Sequence, residues 1–145
     1  PEYRRQRQMC IRDSLKAFQS DSPFETLYPS PDWPNTPNDK GELPELREMK
    51  NSKGEVFTTT YEFPDGTNDD RWYHWRVHNW GTKWEAYDRS QGDIDEECGY
   101  AEFSFNTAWA PADGVYKAIV EKYPDVGISW FYDEPGCELA GYLPD

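Results

Sequence analysis

No stretch of this 145-residue chain stays apolar for the roughly 18 residues that a membrane-spanning helix needs, so that class is excluded. Positive charge is also scarce. Lys and Arg number 15 against 28 Asp and Glu, a formal charge of −13, which argues against a protein that grips phosphates by releasing counterions. Cysteine is limited to Cys10, Cys98 and Cys137, with no C-x-x-C pair and no even-numbered framework, which reads as free thiols in a reducing cytoplasm. No charged-then-apolar leader opens the chain. Aromatics are what the chain has in quantity: 7 Trp, 10 Tyr and 7 Phe, 17% of residues, able to fill a core that its few aliphatics could not.

The first thirteen residues, Pro-Glu-Tyr-Arg-Arg-Gln-Arg-Gln-Met-Cys-Ile-Arg-Asp, resemble translated sequencing-adapter text from metagenomic assemblies. They are read as a non-native segment of weak order. Arg4, Arg5, Arg7 and Arg12 against Glu2 and Asp13 give it +2 and leave −15 on residues 14–145. A basic nucleic-acid arm is the alternative reading of that patch.

Beyond it, Ser14 is expected to cap a short helix to Ser20, with Leu15 and Phe18 on one face. Six prolines from Pro23 to Pro44 make residues 22–44 an insertion in which regular structure is not expected. A second short helix is expected over roughly residues 42–50, ended by the turn Asn51-Ser52-Lys53-Gly54. Alternation predicts a strand over 56–63. Asp69 or Asp70 should cap a helix that runs to Trp80 and stops at Gly81. A strand over 84–89, an acidic solvated loop over 92–97 and a half-buried strand over 100–107 follow. The clearest helix is 112–123, with Ala112, Val115, Tyr116, Ile119 and Tyr123 as its buried stripe. Strands over 127–133 and 138–143 complete an α+β pattern, helices on one face of an antiparallel sheet, with residues 14–145 as one domain.

Catalytic signatures are missing. His74 and His78 stand four apart on the predicted helix, a metal-ligand spacing, but Trp75-Arg76-Val77 between them lacks the Glu of a His-Glu-x-x-His site. They read as ordinary histidines, and no metal or cofactor is expected. Cys98 and Cys137 carry no nucleophile signature, and Gly81-Thr82-Lys83 lacks the upstream glycine of a phosphate loop. Acidic pairs such as Asp133 and Glu134 are too common here to inform. Trp80, Trp84 and Trp109 lie beside glycine or proline turns, where a ring could stack on a base or fill the core.

The segment Asn79-Trp80-Gly81-Thr82-Lys83-Trp84 is followed by Phe103-Ser104-Phe105-Asn106-Thr107-Ala108-Trp109-Ala110-Pro111. Tyr123-Pro124-Asp125, Tyr132-Asp133-Glu134-Pro135-Gly136 and Ala140-Gly141 complete the set, and Tyr28-Pro29-Ser30-Pro31 precedes it. Together they resemble the YubB-type ferredoxin-like domain family, small proteins of phages, prophages and conjugative plasmids, mostly of unknown function. The resemblance spans Phe18 to Gly141 and implies a ferredoxin-like sandwich, with no catalytic residue to carry over. Family members open with a short strand before the first helix. Here the adapter-like run takes that place, so the first strand is missing or replaced, and an exposed sheet edge or an edge-paired homodimer is expected.

Joined to the charge, the resemblance implies a small acidic binding protein, not an enzyme, acting in the cytoplasm of a bacterial host. Its expected partner is a host defence complex, such as a CRISPR effector or nuclease, whose nucleic-acid-binding surface it occupies. Asp93, Asp95, Glu96, Glu97, Asp133 and Glu134 are the candidate acidic face. Direct nucleic-acid or membrane binding is not expected. The alternative is a nucleotide binder or sponge that stacks a base on Trp80, Trp84 or Trp109, with Lys83 and Arg76 at the phosphates. The Asn79–Trp84 motif also has a purely structural reading, in which Asn79 and Thr82 fix the turn and both Trp rings pack beneath it.

Overall fold

The computed structural model describes residues 2–144, with the side chains of Arg5, Met9 and everything from Ile11 onward. Pro1 and the thiol expected to be free at Cys10 lie outside the described residues. In chain order the elements are α1 (Glu2–Gln19), α2 (Pro23–Leu27), a 3-10 turn (Trp33–Asn35), β1 (Glu45–Lys50), β2 (Val56–Glu62) and α3 (Arg71–Asn79). Then follow β3 (Tyr87–Asp95), β4 (Tyr100–Asn106), α4 (Asp113–Lys122), β5 (Trp130–Glu134), a 3-10 turn (Pro135–Cys137) and β6 (Leu139–Leu143). The chain forms two units, residues up to Pro29 together with those from Arg76 onward, and Ser30–Trp75.

The larger unit is built on its aromatics. Phe18 of α1 stacks on Phe103 and Phe105 of β4, with ring centroids 5.3 and 6.1 Å apart. Phe24 of α2 meets Trp80 and Phe105 edge-on at 5.7 and 5.6 Å. Around them Leu15, Ala17, Leu27, Ala86, Ala108, Leu143 and the α4 stripe of Val115, Ile119 and Tyr123 are buried. Edge-on ring pairs gain from the quadrupole as well as from buried area, which suits a core poor in aliphatics. The five-residue helix α2 draws no capping bond from Ser22. Instead, the Glu85 carboxylate accepts from the backbone N–H groups of Phe24 and Glu25 at 2.7 and 2.9 Å. An anion at exposed N–H donors is what a helix start requires.

α3 and α4 meet end to end. Trp80 and Gly81 both donate their N–H to the Arg76 carbonyl, at 2.8 and 3.1 Å, with Gly81 in the left-handed region at φ 89°. A left-handed glycine and a 6→1 bond thus end α3. The Trp80 carbonyl, freed by the turn, accepts from Gly114 N–H at the start of α4, at 3.0 Å. A Cβ on Gly114 would overlap the Asn79 carbonyl and stand 2.7 Å from its carbon, so only glycine permits this approach.

The strands form three antiparallel ladders, β1–β2, β3–β4 and β5–β6. In β3–β4, Ser90 faces Ser104, Gln91 faces Phe103 and Ile94 faces Ala101, with two breaks in register. In β5–β6 the pairing is regular from Trp130↔Leu143 to Glu134↔Leu139. The architecture is α+β, as the element pattern predicts.

Within Ser30–Trp75, the β1–β2 hairpin is exposed over most of both faces. Order there centres on Arg71, whose guanidinium lies 4.8 and 5.1 Å from the ring centroids of Trp33 and Phe63. It also pairs with Asp69 at 2.8 Å and donates to the Trp33 carbonyl. Asp69 is held below the usual carboxylate range, first by its hydrogen bond from Arg71.

Several local expectations change. Ser14 does not start a helix: α1 runs through it, and its hydroxyl donates back to the Ile11 carbonyl. Residues 45–50 are strand, not helix, because the turn at 51–54 folds them onto β2. The proline-rich segment holds α2, whose Pro23 sits at a first-turn position where no N–H is needed. Residues 92–95 belong to β3, paired through Ile94↔Ala101, so only Glu96 and Glu97 of the acidic run are turn. Strand begins at Tyr87, not Trp84, and at Trp130, not Gly127.

Candidate functional site

The Asn79–Trp84 turn separates its residues by role. Trp80 is fully buried, and its indole N–H donates to the Tyr28 carbonyl at 2.9 Å. Asn79 accepts from the Tyr28 hydroxyl at 3.0 Å. Thr82 is buried and donates to the Ala108 carbonyl at 2.7 Å, fastening the turn to the loop before α4. Gly81 closes α3. These four are structural, which removes Trp80 as a stacking surface.

Lys83, Trp84 and Trp109 face outward together. Trp109 is 92% exposed and Trp84 48%. The Lys83 ammonium stands 4.6 Å from the Trp84 ring centroid and 5.7 Å from that of Trp109. Both separations are within cation–π range. Trp84 also meets Tyr87 edge-on at 6.1 Å. Trp109 holds φ at 68°, a left-handed conformation that costs a bulky residue about 1–2 kcal/mol. An exposed aromatic held in a costly backbone conformation is a pattern of functional sites. Arg76 is not part of this platform: its guanidinium lies 4.6 Å from the Trp80 centroid and donates to the Lys83 carbonyl.

The acidic residues fall into two groups on different ladders. Asp93 and Asp95 end β3, and Glu96 and Glu97 form the turn into β4, all four exposed. Asp95 accepts from the N–H groups of Glu97 and Cys98, both at 3.0 Å. Chiefly through the Cys98 N–H, its carboxyl is held below the usual range and stays charged. The same carboxylate, by hydrogen bond and then by charge, raises the exposed Cys98 thiol, leaving it a poor nucleophile at neutral pH. Asp133 and Glu134 lie on β5, where Glu134 accepts from Gly136 N–H and caps the following 3-10 turn.

His74 pairs with Asp70 at 3.4 Å, both exposed. Among the described residues no group of three or more His, Cys, Asp or Glu side chains is placed to hold a metal. No helix among them is long and apolar enough to cross a membrane. An open groove of about 640 Å³ runs beside Tyr28, His78, Lys117, Glu121 and Lys122, mixing charges of both signs.

Sequence reasoning set Lys83 beside Trp84 and Trp109 but grouped Trp80 and Arg76 with them, and the structure turns those two to internal partners.

Paired strands and a crossover helix after α3 define a ferredoxin-like α+β domain. Residues 79–143 match a family model described as a ferredoxin-like domain in Api92-like protein. No curated protein and no solved structure matches the chain.

Proposed function

We propose that this protein is a non-enzymatic binding protein of a phage or other mobile element. It acts in the bacterial cytoplasm by occupying the nucleic-acid-binding surface of a host defence protein. The observation that carries the reading is the exposed acidic run of Asp93 and Asp95 at the end of β3 and Glu96 and Glu97 in the turn that follows, set on a chain of net charge −13. Fixed carboxylates of this density imitate a phosphate backbone and steer association with a Lys- and Arg-lined groove. The resemblance to the YubB-type family supplies the mobile-element context.

The test is binding to a panel of purified nucleases and CRISPR effectors at two salt concentrations. Affinity that falls steeply with salt, and is lost when the four residues become Asn or Gln, is the expected result. A four-residue variant that binds as tightly as the parent chain ends the mimicry reading.

A second reading has its own observation, the Lys83–Trp84–Trp109 platform. Two exposed rings flanking an ammonium suit a nucleotide, the base on a ring and a phosphate on Lys83. Quenching of tryptophan emission by nucleoside mono- and diphosphates, abolished in Trp109→Ala, is its expected signature. No quenching at millimolar nucleotide removes it.

A further inference from the structure

The β5–β6 ladder turns two aromatic rings and a carboxylate out to solvent. Trp130 meets Phe105 and Tyr116, with ring centroids 5.5 and 6.1 Å apart, so its side of β5 faces β4 and α4. Successive side chains alternate along a strand, which sets Phe131 and Asp133 on the opposite side. Across the ladder Phe131 faces Tyr142 and Asp133 faces Ala140. The Phe131 and Tyr142 centroids are 5.2 Å apart with the rings tilted at 54°, yet Phe131 is 56% exposed and Tyr142 61%.

Asp133 lies two residues beyond Phe131 on the same side, about 7 Å along the strand, and diagonal to Tyr142. Its side chain is exposed, and among the described residues no hydrogen bond or ion pair engages its carboxylate. Ala140, directly opposite, is too short to fill the space beside the rings. The next carboxylate, Glu134, is already occupied by the Gly136 N–H. After Lys122 the sequence holds five acidic residues and no Lys, Arg or His, so this end of the chain sets up a negative field.

Elsewhere the same chain shows what two rings and a carboxylate hold. The Arg71 guanidinium lies 4.8 and 5.1 Å from the ring centroids of Trp33 and Phe63. Its Nε and Nη2 donate to the two carboxylate oxygens of Asp69 at 2.8 and 2.9 Å. β5 and β6 display the same three components with no guanidinium between them.

We infer that this face is a docking site for an exposed arginine side chain of a partner protein. The guanidinium stacks against Tyr142 and Phe131, and its fork pairs with the Asp133 carboxylate. Arginine fits better than lysine because its planar, weakly hydrated head can stack on a ring and donate two parallel bonds at once. A nucleic acid fits worse, since its phosphates would meet carboxylates and no cation. The site shares no residue with the acidic run at 93–97, so the inference stands apart from that reading.

The test titrates the full chain with acetyl-Gly-Arg-Gly-Arg-Gly-amide and with its Lys counterpart of equal charge, followed by backbone amide chemical shifts. The Arg peptide should bind about two- to fivefold tighter and move the amides of residues 131–133 and 140–142. Phe131→Leu combined with Tyr142→Leu keeps the charge and the apolar bulk, and should bring the Arg peptide down to the Lys value. Asp133→Asn should weaken the Arg peptide several-fold. Neutralising the acidic run at 93–97 should leave the ratio of the two peptides intact.

Equal affinities for the two peptides in the parent chain would overturn the proposal. So would an Arg preference that survives the double Leu variant, or one that collapses when only the acidic run is neutralised. An oligothymidylate that moves the same amides would assign the rings to bases and overturn the arginine partner.

Discussion

Replacing Gly114 by Ala tests how closely α3 and α4 abut. The new Cβ would overlap the Asn79 carbonyl oxygen, 2.7 Å from the Asn79 carbonyl carbon and 3.1 Å from that of Trp80. These are backbone atoms, held by the bonds that close α3, so they cannot swing aside as a side chain would. Overpacking of this kind costs about 1–3 kcal/mol. Parting the helices also strains the 3.0 Å bond from Gly114 N–H to the Trp80 carbonyl, worth about 1 kcal/mol. Against this, Ala gains up to about 1 kcal/mol in helix propensity over Gly. The net loss is about 1–3 kcal/mol. At an unfolding entropy of about 2.1 cal/mol/K per residue, that lowers Tm by roughly 3–10 °C. Gly127→Ala is the matched control: nothing lies within 4 Å of its Cβ and its φ is not left-handed, so it should hold or slightly raise Tm. Thermal unfolding followed by circular dichroism reads both variants. If Gly114→Ala melts with Gly127→Ala, the helix ends are not in the contact described and the argument fails.

Three further outcomes follow from the same geometry. Thr82→Val leaves the Ala108 carbonyl without its buried donor and should cost about 1–3 kcal/mol in urea titration, whereas a loss under about 0.5 kcal/mol (about half of a typical bond) would show water replacing it. Trp109→Gly relieves the left-handed φ and should stabilise the fold by about 0.5–1 kcal/mol, after the added chain entropy of glycine, while abolishing any nucleotide quenching. Asp69 has a folded pKa below its unfolded 3.8, so its pairing with Arg71 stabilises fully above that value and is lost as pH falls through the folded one. Between about pH 5 and pH 2 the parent chain should therefore lose more stability than Asp69→Asn; parallel pH profiles would dismiss the contribution of the pair.

Where local pattern and tertiary demand agreed, the fold was legible. Pro111, Asp113 and the Ala112–Tyr123 stripe placed α4 to within a residue, and the alternation around Phe103 and Phe105 placed β4. Residues 45–50 failed because Glu-Leu-Arg-Glu-Met-Lys is a good helix former, and only pairing with Val56–Glu62 makes it strand. The acidic run 92–95 failed because charged side chains on an exposed ladder leave no apolar alternation to detect. Of the candidate site, the exposure of the acidic turn could be read from composition. The burial of Trp80 and the exposure of Trp109 could not, since both are tryptophans beside turn residues. What separates them is the Tyr28 carbonyl that receives one indole, fifty-two residues away in sequence.

The capping of α2 by Glu85 bears on the order in which this chain folds. Five residues are too few to sustain a helix alone, because nucleation fixes several residues for the first bond gained. The donors at Phe24 and Glu25 find their acceptor sixty-one and sixty residues further along, so α2 cannot be an early local event. It must wait for the segment around Glu85 to arrive, and closing a loop of that length is an entropic toll collected before any bond returns it. Such non-local dependence slows folding relative to a chain whose helices start themselves. During synthesis Phe24 and Leu27 leave the ribosome well before residue 85, so two core side chains stay solvent-facing until most of the chain has emerged.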